Sequence, residues 1–220
     1  NDAHIFLPRT DEAKVLSRVE NMLFDAMGDL DEHRYDAFQD ANSMLFVSKN
    51  VARILLAFVY CNQKKFDKAL PLLEEVIRRG EYHLEYSQAT EYQNNAECIL
   101  GYYPEMSSAQ KIFPCLDYKD VILTAAECLY HTGNTPKAKE YINQVCEYKN
   151  LTADQSDVLK AIASLHYQIN SPSYMNFIRR NGLGESFMGL SPNNLYQLLW
   201  PIPSSELDKN PQLTQNPGYY

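Results

Sequence analysis

The chain has 220 residues, 20 basic against 28 acidic side chains, a net charge of −8 and 45% hydrophobic residues. That is enough apolar material for a core and too little charge for disorder. The acidic balance excludes nucleic acid and an anionic membrane surface as natural partners, and the longest apolar run, residues 54–61, is far below the ~18 residues of a membrane span.

Read in chain order, Asp11 and Glu12 after Thr10 mark a helix start, and Val15, Leu16, Val19, Leu23 and Ala26 recur on one face before Gly28. A weaker stripe of Ala37, Phe38, Ala41 and Leu45 predicts a second helix over about 35–47. From residue 48 the signal strengthens. Val51, Ala52, Leu55, Leu56, Phe58 and Val59 give one apolar face, Asn62-Gln63-Lys64-Lys65 interrupts it, and Ala69, Leu72, Leu73 and Val76 resume it before Gly80, a natural C-terminal cap. This predicts an antiparallel helical hairpin over 48–79. Its small residue at Ala57, Tyr60 three later, Phe66 near the turn and Ala69 carry tetratricopeptide spacing.

The same grammar predicts a second hairpin over 119–149, broken at Gly133-Asn134-Thr135-Pro136, with Thr135 as N-cap. Ala126 and Ala138 stand where Ala57 and Ala69 stand in the first, near two repeat periods of ~34 residues away. Between the hairpins, residues 81–120 lack a sustained period and hold many tyrosines among Asn, Gln, Ser and Pro, which reads as mostly loop with negligible sheet. Thr152 with Gln155 three later forms a capping box for a helix over about 153–169, and Pro172 opens a shorter helix to Arg180. Glycines and prolines exclude long regular elements from residues 181–220. The fold expected is all-α: one domain over 1–220, with tetratricopeptide-like helical hairpins and an irregular C-terminal strap.

Catalytic signatures fail one after another. There is no H-E-x-x-H, G-x-S-x-G or Walker loop, and Gly182-Leu183-Gly184 lacks the third glycine and preceding strand of a dinucleotide fingerprint. The five histidines fall singly and read as structural. The five cysteines, odd in number and without a C-x-x-C pair, do not form a disulfide framework. Cys128 and His131 are three apart on one helix, but a zinc site needs further ligands and none is near. No metal, no cofactor and no enzyme is expected. Asn150-Leu151-Thr152 matches a glycosylation sequon, but Asn150 is better read as ending one helix and Thr152 as capping the next.

The run Leu198-Leu199-Trp200-Pro201-Ile202-Pro203-Ser204-Ser205-Glu206-Leu207-Asp208-Lys209-Asn210-Pro211, closed by Thr214-Gln215-Asn216-Pro217-Gly218-Tyr219, resembles the tail of the SusD/RagB family. Asn94-Asn95-Ala96-Glu97-Cys98-Ile99-Leu100 resembles that family's N-x-E-x-I segment. Ala126-Glu127, Leu129, Gly133-Asn134, Ala138, Ile142-Asn143 and Val145 match its second hairpin. The resemblance implies a surface-exposed outer-membrane lipoprotein that binds an oligosaccharide or polysaccharide beside a SusC-like TonB-dependent transporter. No lipid-accepting cysteine stands near Asn1, so anchoring would use a leader not present in this chain. The usual member is more than twice this length, and most of its excursion between the hairpins is missing here. The alternative is therefore a reduced scaffold for protein docking that has lost the sugar site.

Physically, the strap follows an extended path at Pro201 and Pro203, a helical turn from Ser204 or Ser205, and a type II turn at Asn216-Pro217-Gly218. Trp200, Ile202 and Leu207 are expected to hold it by packing as core. The resemblance also implies sugars laid on aromatic rings, and the aromatic-rich segment outside the predicted helices is 82–118. Tyr102 and Tyr103 are the candidate platform, in a turn bracketed by Gly101 and Pro104, with Asn94, Asn95 and Glu105 as hydrogen-bonding partners. The competing reading makes both tyrosines satellite core over the groove between the hairpins.

Overall fold

The computed structural model describes residues 7–32, 45–86, 96–102 and 113–219. Helix α1 (Glu12–Asp29) begins at Asp11, whose carboxylate accepts the backbone N–H groups of Ala13 and Lys14 at 3.0 and 3.3 Å. Its apolar stripe is only half-buried, and Gly28 falls inside the helix rather than ending it. The predicted helix over 35–47 lies mostly outside the described residues, and residues 46–48 are not helical.

Helices α2 (Lys49–Asn62) and α3 (Phe66–Arg79) form the first hairpin, closed by Gly80 in the left-handed conformation at φ +65°. Ala57 and Ala69 are fully buried in it, as close helix approach requires. The second hairpin pairs α4 (Tyr118–His131) with α5 (Thr135–Lys149), and Gly133 takes φ +89° at the turn. The cap is Asn134, not Thr135: its side chain accepts from the Lys137 N–H. Asn150 ends α5 in the left-handed region at φ 51°. Helix α4 lies at the centre, in contact with α3, α5 and α6 (Val158–Gln168). All of its residues from Asp120 to Leu129 are buried.

The capping box at Thr152 and Gln155 does not form. Asp157 caps α6 through the Lys160 N–H, while Gln155 donates to Asn143 on α5. Asp157 adjoins the helix that packing sets, whereas Thr152 lies a full turn too early.

The segment between the hairpins is not simply loop. Strands β1 (Cys98–Tyr102) and β2 (Phe113–Asp117) pair antiparallel with irregular register, Cys98 opposite Asp117 and Tyr102 opposite Phe113. The all-α class holds, and sheet among the described residues is confined to this small two-stranded ribbon. Five-residue strands containing Gly101 and Pro114 show no alternation that sequence periodicity could detect.

After α7 (Tyr174–Arg180) the chain makes only short elements: α8 (Gly184–Met188), a 3-10 segment at Pro192–Leu198 and α9 (Ser204–Lys209). The turn at its end forms, with the Tyr219 N–H donating to the Asn216 carbonyl and Gly218 at φ +90°. Apolar packing holds the strap through Leu183, Phe187 and Leu198 rather than through the three side chains expected. Trp200 is 82% exposed, and Ile202 and Leu207 are only half-buried. Beyond Leu198, side-chain amides and a hydroxyl fix the extended backbone. Gln215 accepts from the Ile202 N–H and donates to the Ile202 carbonyl, both at 2.8 Å; Asn216 donates to the Trp200 carbonyl, and the Tyr219 hydroxyl donates to that of Leu199.

Candidate glycan-binding surface

Two polar clusters fix the elements around the candidate surface. Glu127, fully buried on α4, receives both arms of Arg180, from Nε at 2.7 Å and from Nη2 at 2.5 Å, and a third bond from the Asn181 amide. A buried carboxylate needs such compensation, and here it ties α7 to the core. In the second cluster, Lys149 at the end of α5 reaches Glu97 at 2.6 Å and the Glu85 carbonyl at 2.8 Å, which joins the segment after α3 to the start of β1.

Where β2 runs into α4, Asp117 caps the helix through the Tyr118 N–H and pairs with Lys119. Burial pushes the Asp117 carboxyl up to about 6 against the pull of Lys119. The Lys119 ammonium, despite its own burial, is held above its usual range by Asp117. Desolvation of the acid outweighs the attraction of its partner, since Asp117 is the more deeply buried of the two.

Of the candidate sugar contacts, Tyr102 alone falls among the described residues; Tyr103, Asn94, Asn95 and Glu105 lie outside them. Tyr102 is the last residue of β1, so it sits at a strand end rather than in the expected turn, and it is 50% exposed. Cys98, opposite Asp117, marks the end of the ribbon nearest α4. Four residues of strand place Tyr102 about 13 Å further out along it.

Sequence reasoning missed a second aromatic feature. Tyr86 lies against Tyr148 of α5 with ring centroids 4.4 Å apart and remains 71% exposed. Nothing in the sequence linked residues 62 apart; the Lys149 bridge creates the juxtaposition. Cys128 and His131 do not converge on a common point. The Cys128 sulfur contacts Cys61 at 3.5 Å in the core, and this contact together with burial pushes its thiol up, while the His131 ring stacks on Phe66 at 4.0 Å and bonds Asn181. Among the described residues no helix is long and apolar enough to cross a membrane.

Residues 173–219 match the model of the SusD family. The fold is similar to that of a SusD superfamily protein from Bacteroides thetaiotaomicron, with 15% identity, a TM-score of 0.76, and coverage of 99% of this chain and 69% of that one. It is also similar to surface glycan-binding protein A from Bacteroides uniformis, with 16% identity, a TM-score of 0.70, and coverage of 98% and 71%. A laminarin-binding SusD-like protein gives 17% identity, a TM-score of 0.73, and coverage of 96% and 70%. No curated protein matches the chain.

Proposed function

We propose that the chain is a SusD-like family member and a non-catalytic glycan-binding protein of a nutrient-uptake system. The observation that carries this reading is the coincidence of the C-terminal family segment with a fold likeness extending over nearly the whole chain. Two of the similar structures are named for glycan or laminarin binding. The reading includes tetratricopeptide-like hairpins as the frame, lipid anchoring at the outer-membrane surface, and a SusC-like TonB-dependent transporter as partner.

Sugar binding is assigned to the ring of Tyr102 at the outer end of the ribbon, with Tyr103, Asn94, Asn95 and Glu105 completing the contacts. An aromatic face takes the apolar face of a pyranose, and amide and carboxylate groups take its hydroxyls. Tyr102→Ala is expected to lower oligosaccharide affinity at least tenfold while shifting stability by less than about 1 kcal/mol, because a half-exposed ring contributes little to folding. Isothermal titration beside a thermal melt checks this. A variant that melts several degrees lower and binds like the parent would assign Tyr102 to packing.

The second reading, a helical scaffold that docks a protein, is favoured by one observation. Helix α1 has no buried residue and exposes Met22 and Phe24 by 60% and 66%. Pull-down of a partner by the parent but not by Met22→Ser/Phe24→Ser, with silence toward every glycan, would favour it.

A further inference from the structure

Two cavities of about 480 Å³ each flank α7 and share Arg179 in their walls. One lies between the start of α1, α7 and the strap, with Arg9, Asn176, Trp200 and Asn216 in its lining; the other lies where α7 meets the turn after α2, with Lys64 and His131. In a chain of net charge −8, these linings gather, among the described residues, Arg9, Arg179, Arg180 and Lys64 around a single acid, Glu12. Arg180 is already neutralised by Glu127. Among the described residues, Arg9 and Arg179 are hydrogen-bonded to amide oxygens, those of Asn216 and Asn176, rather than to carboxylates. Their charge is therefore available to a ligand.

Trp200 supplies the other half of the argument. Its carbonyl is gripped by Asn216, the neighbouring Leu199 carbonyl by Tyr219, and Pro201 follows, so the backbone beneath the ring is fixed. Yet the ring is 82% exposed on the wall of the first cavity. A rigidly presented indole face beside guanidinium groups matches a saccharide that carries anionic substituents: the ring takes C–H faces, and the planar guanidinium takes a carboxylate or sulfate through paired hydrogen bonds.

We infer that the groove along α7, from Trp200 past Arg9 and Arg179 toward Lys64, binds an acidic oligosaccharide bearing uronate carboxylates or sulfate esters. The inference rests on the glycan-binding reading and places a second, charge-selective surface on elements other than the Tyr102 ribbon.

Calorimetric titration of the purified chain with tetragalacturonate, a heparin-derived tetrasaccharide and neutral laminaritetraose, at about 20 and about 200 mM NaCl, tests it. At least one acidic ligand should bind, and weaken severalfold in the higher salt. Arg179→Gln and Trp200→Ala should each weaken it about tenfold or more without moving the melting temperature, while Lys139→Gln, a change on α5 away from the groove, should bind like the parent. Binding of the galacturonate alone assigns carboxylates, and of the heparin fragment alone assigns sulfates. Failure of both acidic ligands at the lower salt, or acidic binding indifferent to Arg179→Gln, overturns the inference. Laminaritetraose binding in that case leaves the glycan-binding reading standing, so the two failures are distinguishable.

Discussion

Between Tyr118 and Leu129 every residue of α4 except Lys119 is buried, whereas beyond Gly184 no described residue is. The first resembles a family hairpin in sequence, and the second lies within residues 173–219, which match the family model. Both adopt one defined backbone path. The helix does so by surrounding itself with α3, α5 and α6, and its order follows from apolar area removed from water. Beyond Leu198 the strap does so through amide clasps at Ile202 and Trp200 and a hydroxyl clasp at Leu199, hydrogen bonds that extended backbone could not find within itself. A motif, then, can encode either kind of order, and the residue types tell which: Ile, Leu, Val and Ala in α4, against Gln215, Asn216 and Tyr219 in the strap.

The contrast breaks most visibly at two aromatic residues. Phe177 on α7 is fully buried, and Phe177→Ala is expected to cost about 3–5 kcal/mol in chemical denaturation. Glu127→Ala should cost about as much, because it strands the side chain of Arg180, only 7% exposed, without its partner. Next comes Gln215→Ala, which removes both bonds to Ile202 and should destabilise by about 1–2 kcal/mol, measured by thermal melting with protease susceptibility of the tail as a local reporter. Trp200→Ala should change stability by no more than about 0.5 kcal/mol, since its ring leaves the core unaltered. A loss of several kcal/mol there would return Trp200 to the core role that the sequence assigned it.

The smallest effect is a titration. The Asp117 carboxyl should titrate near pH 6 in carbon-13 NMR, well above an ordinary carboxylate. Because its proton is bound more tightly folded than unfolded, its contribution to stability is present in full below about pH 4 and is lost as pH rises through about 6. A midpoint at or below 4 would show that Lys119 outweighs burial.

Both hairpins were legible from the 3.6-residue period and from Gly80, Gly133 and Asn150, because amphipathic pattern and left-handed caps are local in sequence. Caps chosen among neighbouring candidates were not. Asn134 replaced Thr135, and Asp157 replaced Thr152, since the choice follows from where packing starts the helix. The ribbon escaped because Gly101 and Pro114 read as loop signals while tertiary pairing overrode them. The Glu127–Arg180 and Tyr86–Tyr148 contacts join residues 53 and 62 positions apart, and single-sequence reasoning has no signal for such pairs. Trp200 was misread through its type: indole is usually buried, but the Pro201 that follows it and the Asn216 clasp fix the backbone beneath its exposed ring. Of the candidate sugar-binding set, Tyr102 alone falls among the described residues.

The central claim is that this chain binds glycan without cleaving it, and affinity electrophoresis of the purified parent protein across a panel of plant, algal and host polysaccharides tests that most directly. Retardation by at least one polysaccharide, with no reducing sugar released on prolonged incubation, is the predicted result. Unretarded migration through every polysaccharide of the panel, or steady release of reducing sugar, would contradict it.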